Sequence, residues 1–106
     1  MSVKSAKTPQ SQMEAPIPAY TLGTVQKVAV AAASAAITNA VASTTEVIRV
    51  AVNTDCYMKI AASPTATTSD HFLPAGTVEY FQITPGHKVA FIRNTADGVA
   101  TVSELT

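Results

Sequence analysis

The sequence predicts an all-β chain, a small antiparallel β-sandwich or jelly-roll-like barrel of about six or seven strands with an extended N-terminal arm. Three observations predict it. Short runs rich in β-branched and aromatic residues recur at about ten-residue spacing, with turn chemistry between them. Within the runs, apolar and polar residues alternate with the two-residue period of a half-buried strand. The segment from Met1 to Leu22 instead mixes Pro9, Pro16 and Pro18 with Ser, Gln, Thr and Lys, which favours extended backbone and cannot build a packed core. The arm is therefore assigned to residues 1–22 and the β-sandwich domain to residues 23–106.

Thr24 to Ala33 opens the domain. Val25, Lys27 and Ala29 alternate with Gln26, Val28 and Val30, and the run becomes apolar on both sides, as a strand does when it enters a core. Ala31 to Ala36 is rich enough in alanine for a helical turn. Strand is preferred, because the Thr/Ser-rich surroundings of Ile37 and Val41 supply neither caps nor charged helix partners. Glu46 to Val52 and Cys56 to Ala62 flank Asn53-Thr54-Asp55 and read as a hairpin. Ser63 to Asp70 is a polar loop opened by Pro64. Leu73-Pro74-Ala75-Gly76 turns the chain into a strand from Thr77 to Ile83, and Thr84-Pro85-Gly86 turns it again. His87 to Arg93 is the next strand, Asn94 to Gly98 a turn, and Val99 to Leu105 the last strand. Alternation sets Ile48, Val50 and Val52 opposite Arg49, Cys56, Met58 and Ile60 opposite Lys59, and Val89 and Phe91 opposite Lys88. These apolar sets are the predicted core.

Composition bounds the function. A chain of 106 residues supports one domain and one modest core. Seven basic residues balance seven acidic ones, and charged residues make up 13% of the chain, against roughly 25% in ordinary soluble domains. Such a surface has little electrostatic protection against association. The basic residues are scattered and tryptophan is absent, so the electrostatic footprint of a nucleic-acid binder is missing. Thr8 to Pro18 is polar where a signal peptide needs an apolar run. Val28 to Ala36 is far shorter than the ~20 residues of a membrane helix. Neither secretion nor a membrane span is expected.

Chemistry is sparse. Cys56, the single cysteine, cannot form an intrachain disulfide, which suits a reducing cytosol. It shares a strand face with Met58 and Ile60 and reads as a buried thiol, and its neighbour Asp55 disfavours the thiolate. His71 and His87 lack the spacing, with Cys56 or Asp70, that marks a metal site. The carboxylates are dispersed, and Gly76, Gly86 and Gly98 belong to turns. Tyr57, Tyr80 and Phe81 serve the core, unless Tyr57 or Tyr80 points outward to anchor a protein contact. No catalytic, cofactor-binding or metal-binding residue is assigned, and an enzyme is not expected.

From Asn53 to Thr106 the TDCY turn and strand, the SPTAT loop, LPAGTVEYF, PGHKVAFIR as a hairpin, and the ADG turn before TVSEL together resemble small virion structural proteins of tailed bacteriophages, of the kind that decorate or cement the capsid. The resemblance covers about half the chain. It implies a protein made in the host cytoplasm and carried on the capsid surface, whose partners are the major capsid protein or other virion proteins, and which forms a homo-oligomer, a dimer or trimer. The arm suits that role, because an extended segment can cross a neighbouring subunit or add a strand to a sheet edge. Its candidate contact residues are Lys4, Lys7, Pro9, Met13, Pro16, Ile17, Pro18, Tyr20 and Leu22. Two other expectations are a head-fibre or tail accessory protein that meets the host through loops such as Ser63 to Asp70, and a small ligand- or carbohydrate-binding domain.

Overall fold

The structure is a computed structural model that describes residues 20–106, preceded by two extended dipeptides, β1 (Ser2–Val3) and β2 (Ser5–Ala6). Eight strands make the domain: β3 (Leu22–Val30), β4 (Ala35–Ala36), β5 (Val47–Val52), β6 (Cys56–Ala61), β7 (His71–Leu73), β8 (Val78–Gln82), β9 (Lys88–Arg93) and β10 (Gly98–Leu105). They form two four-stranded sheets, ordered β3-β10-β5-β8 and β4-β9-β6-β7, with every neighbouring pair antiparallel. The pairs β6:β7, β5:β8, β4:β9 and β3:β10 are nested about the β6–β7 loop and fall alternately in the two sheets. A long antiparallel ribbon wrapped in this way is a jelly roll. The predicted all-β sandwich is therefore present, with eight strands in place of six or seven.

The two shortest strands of the domain are β7, three residues not assigned as a strand from the sequence, and β4, two residues within the Ala31 to Ala36 segment where strand was preferred. Runs that short carry no readable period, so His71–Leu73 merges with the polar loop before it and Ala35–Ala36 with its alanine-rich surroundings. Ala31 to Ala36 holds no helical turn: Arg93 N–H donates to Ala31 O, and Ala35 and Ala36 pair with Phe91 and Ala90.

The expected hairpin at Asn53-Thr54-Asp55 is instead an arch, since β5 and β6 lie in different sheets. Val52, Thr54 and Cys56 are all buried, so the inward period runs on through the corner and the chain crosses the core without reversing beside itself. Asn53 Oδ1 accepts the Val99 N–H at 2.7 Å, and the Thr54 hydroxyl donates to Ala96 O at 2.8 Å. The Pro85-Gly86 turn likewise carries β8 to β9 in the opposite sheet, so PGHKVAFIR is also an arch. Among the eight strands of the domain, only the loop between β6 and β7 joins consecutive strands that pair with each other.

The core lies between the sheets. Val28 and Val30, Ile48, Val50 and Val52, Cys56 and Met58, Val89 and Phe91, and Ala100 and Val102 all point into it, closed by Ile37, Val41, Leu73 and Ile83. Of the predicted core set, only Ile60 stays partly exposed, packed on the rim. One carboxyl group is buried with it. Glu104 Oε1 accepts the Ala42 N–H at 3.0 Å and the Thr45 hydroxyl at 2.6 Å, which fastens the turn before β5 to the last strand.

Candidate interaction surface

The sheet β3-β10-β5-β8 buries one face and presents the other. Its register sets Val25, Ser103, Arg49 and Tyr80 side by side on the outer face, with Lys27, Thr101, Ala51 and Val78 in the row beside them. Leu22, Leu105, Val47 and Gln82 form the row on the other side, and within these rows Ser103 and Leu105 of the inner strand β10 are buried. The large exposed apolar side chains among the described residues are Tyr20, Leu22, Val25, Phe72, Val78, Tyr80 and Val99. All but Tyr20 and Phe72 stand on this one face, and Tyr20 lies just before it. Concentration of apolar groups on one face, not their mere exposure, marks an interaction surface. The outward strand residues include two cations, Lys27 and Arg49, and no carboxylate.

The arm enters at a corner of this face. Thr21 and Thr106 exchange backbone hydrogen bonds at 2.7 and 3.0 Å, and β3 begins at Leu22, so the last residues assigned to the arm already run with the sheet. Tyr20 is 46% exposed and Leu22 72%, the highest value among the large apolar side chains. The other proposed contact residues, Lys4, Lys7, Pro9, Met13, Pro16, Ile17 and Pro18, lie outside the described residues.

Elsewhere the chemistry is structural. Cys56 is fully buried, and burial first, then the Asp55 charge, push its thiol up to about 11. His71 Nε2 lies 3.2 Å from Glu79 Oε1, and the ring meets Phe81 edge-on at 5.5 Å, joining the rims of the two sheets. Asp70 takes the Thr67 N–H at 2.7 Å and its hydroxyl at 3.1 Å; the backbone bond first, aided by the hydroxyl and Lys59, holds its carboxyl below the ordinary range against desolvation. Among the described residues, no three His, Cys, Asp or Glu side chains converge on a metal position, and no helix is long and apolar enough to cross a membrane. An open depression of about 380 Å³ on the outer face is bordered by Lys27, Asn53 and Thr101 but has no aromatic ring in its lining. That lining lacks the stacking platform a sugar needs.

Tyr80 was expected either in the core or outward; it is outward and 60% exposed. Val25, Val78 and Val99 were not singled out by the sequence. In TVEYFQI, Val78, Tyr80 and Gln82 alternate with Glu79, Phe81 and Ile83, so each face carries two apolar residues and one polar one. The pattern alone therefore does not say which face is buried. No family model, curated protein or solved structure matches this chain.

Proposed function

We propose that this protein is a structural component of a tailed-bacteriophage virion, which binds the outside of the assembled capsid and decorates or cements its capsomers. The observation that carries the reading is the outer face of β3-β10-β5-β8, where exposed apolar side chains gather beside the point at which the arm joins the domain. The low charge and the resemblance of the second half to decoration proteins support it. The partner is the major capsid protein, and the arm and the face act together. The face supplies apolar area, and the arm adds contacts without needing a core of its own. Joining two weak contacts on one chain raises avidity by making the second intramolecular.

The test is co-sedimentation with purified heads that lack the protein. The full chain is expected to bind in a copy number matched to the capsid symmetry. Deleting residues 1–19, which leaves Thr21 paired with Thr106, is expected to weaken binding by at least about tenfold, and Val25→Glu on the outer face by a similar factor. Binding undiminished by both changes, or absence of the chain from purified particles, would sink the reading.

A further inference from the structure

The domain has four edge strands, and three of them are guarded. β4 is two residues long. β7 is three residues long and stops at Pro74. On β3 the Gln26 side chain exchanges hydrogen bonds with the Asn39 backbone at 2.9 and 3.0 Å, and the pairing with β10 is bulged at its Leu22 end. Shortness, proline, a covering loop and a bulge are the usual defences against edge-to-edge association. Among the described residues, the remaining edge, β8, has none of them. Its five residues hold an unbroken register with β5 and include no proline, lysine or arginine.

The direction of its backbone groups follows from its ends. Val52 N–H donates to Thr77 O at 3.2 Å, and Ile83 N–H donates to Glu46 O at 2.9 Å. With the two-residue period, Glu79 and Phe81 also turn their N–H and C=O groups to β5, while Val78, Tyr80 and Gln82 turn theirs to the open edge. We infer that this edge pairs with the β8 edge of a second copy of the chain, antiparallel about a two-fold axis through Tyr80, so that the sheet continues across the pair.

The strand is self-complementary in that arrangement. Tyr80 meets its own copy, and Val78 meets Gln82, so each outward N–H finds a carbonyl. Glu79 falls opposite Phe81, so no like charges stand directly opposite. The two Arg49 side chains lie three strand spacings apart, about 14 Å, which exceeds the Debye length of about 8 Å. The two tyrosines supply an aromatic cross-strand contact at the centre. A five-residue ribbon buries less than the roughly 1,200–2,000 Å² of a standard stable interface, so the pairing is reversible in solution and is reinforced where copies are held close together. This inference does not depend on capsid binding.

The test uses the full chain alone, by sedimentation velocity up to about 1 mM and by amide exchange followed by NMR. A concentration-dependent shift to twice the monomer mass is expected, with exchange at Val78, Tyr80 and Gln82 slowing as concentration rises. Tyr80→Pro removes an N–H that β5 does not use and should abolish both effects. Should that variant fail to fold, Val78→Lys, which adds a charge beside the axis, is expected to weaken pairing at least about tenfold. A monomer throughout, or a dimer whose three edge amides exchange as fast as in dilute protein, overturns the inference. So does a dimer lost when residues 1–19 are removed, because the arm would then be the occupant.

Discussion

Cys56 shows how one residue ties burial to pH. Its thiol sits between the sheets with no exposed surface, and desolvation by that burial is the first cause of its rise from the ordinary 9.0 to about 11, with the Asp55 charge second. Below pH 9 both the folded and the unfolded chain keep the thiol proton, so the contribution of this group to stability is fully present. Between about 9 and 11 the unfolded chain gives the proton up while the folded chain retains it, and stability falls as pH rises. At about 1.4 kcal/mol per unit, the loss approaches 2–3 kcal/mol. Urea titrations at intervals from pH 8 to about 11 are expected to show a steeper decline for the native chain than for Cys56→Ala, in which this proton is missing. Parallel declines would show that the thiol does not carry the effect. Glu104 makes a different point at the same scale: its buried carboxyl group accepts hydrogen bonds from Ala42 and Thr45, and so clasps the turn before β5 to the last strand.

At the scale of elements, the corners distinguish this fold from a stack of hairpins. Gly98 shows why a corner residue is constrained. A Cβ there would come within 2.5 Å of both Asn53 Oδ1 and Thr54 Cγ2, the side chains that fasten the β5–β6 arch to the start of β10. Gly76 lies in open space and is constrained only by its φ of 81°. Gly98→Ala is therefore expected to cost about 2–3 kcal/mol and Gly76→Ala about 1 kcal/mol, as read from thermal or urea unfolding. Equal costs would mean that the arch gives way easily. The same corners mark the limit of what the sequence shows. Val50, Met58 and Phe91 are legible as core because alternation records which face a residue takes, whatever strand lies beside it. Alternation says nothing about whether Asn53 to Asp55 turns the chain back beside itself or across to the other sheet, since both keep the apolar side inward. Of the exposed apolar side chains on the outer face, the sequence singled out only Leu22 and Tyr80, with Tyr20 just before it. Val25, Val78 and Val99 resemble core valines until the register places them outside.

For the molecule as a whole, the nested ribbon orders the contacts by the length of chain they must close. Met58 meets His71 and Cys56 meets Leu73 across a single loop, and Ala66 inside that loop is buried, with its N–H given to Ser34 Oγ. The next pairs out join Ile48 to Phe81 and Ala36 to Ala90. The outermost joins Val28 to Ala100 and Gly98 to Val30, across nearly the whole domain. Loop-closure entropy rises with each step outward, so the inner pair forms most easily and each closed pair shortens the effective loop for the next. Folding is therefore expected on the slow time scale of β-proteins rich in non-local pairing, milliseconds to seconds, with the β6–β7 end more structured in the transition state than the β3–β10 end. Leu73→Ala and Val28→Ala each remove buried apolar volume, one at each end, and the split between rates is read relative to each variant's own loss of stability. Chevron measurements should find that Leu73→Ala mainly slows folding, whereas Val28→Ala mainly speeds unfolding. The reverse partition would place the nucleus at the long-range β3–β10 pair. The predicted order also bears on assembly. With β3 docking last, the junction of arm and domain is completed only after β8 has its partner β5, so the open β8 edge forms before the outer face is whole.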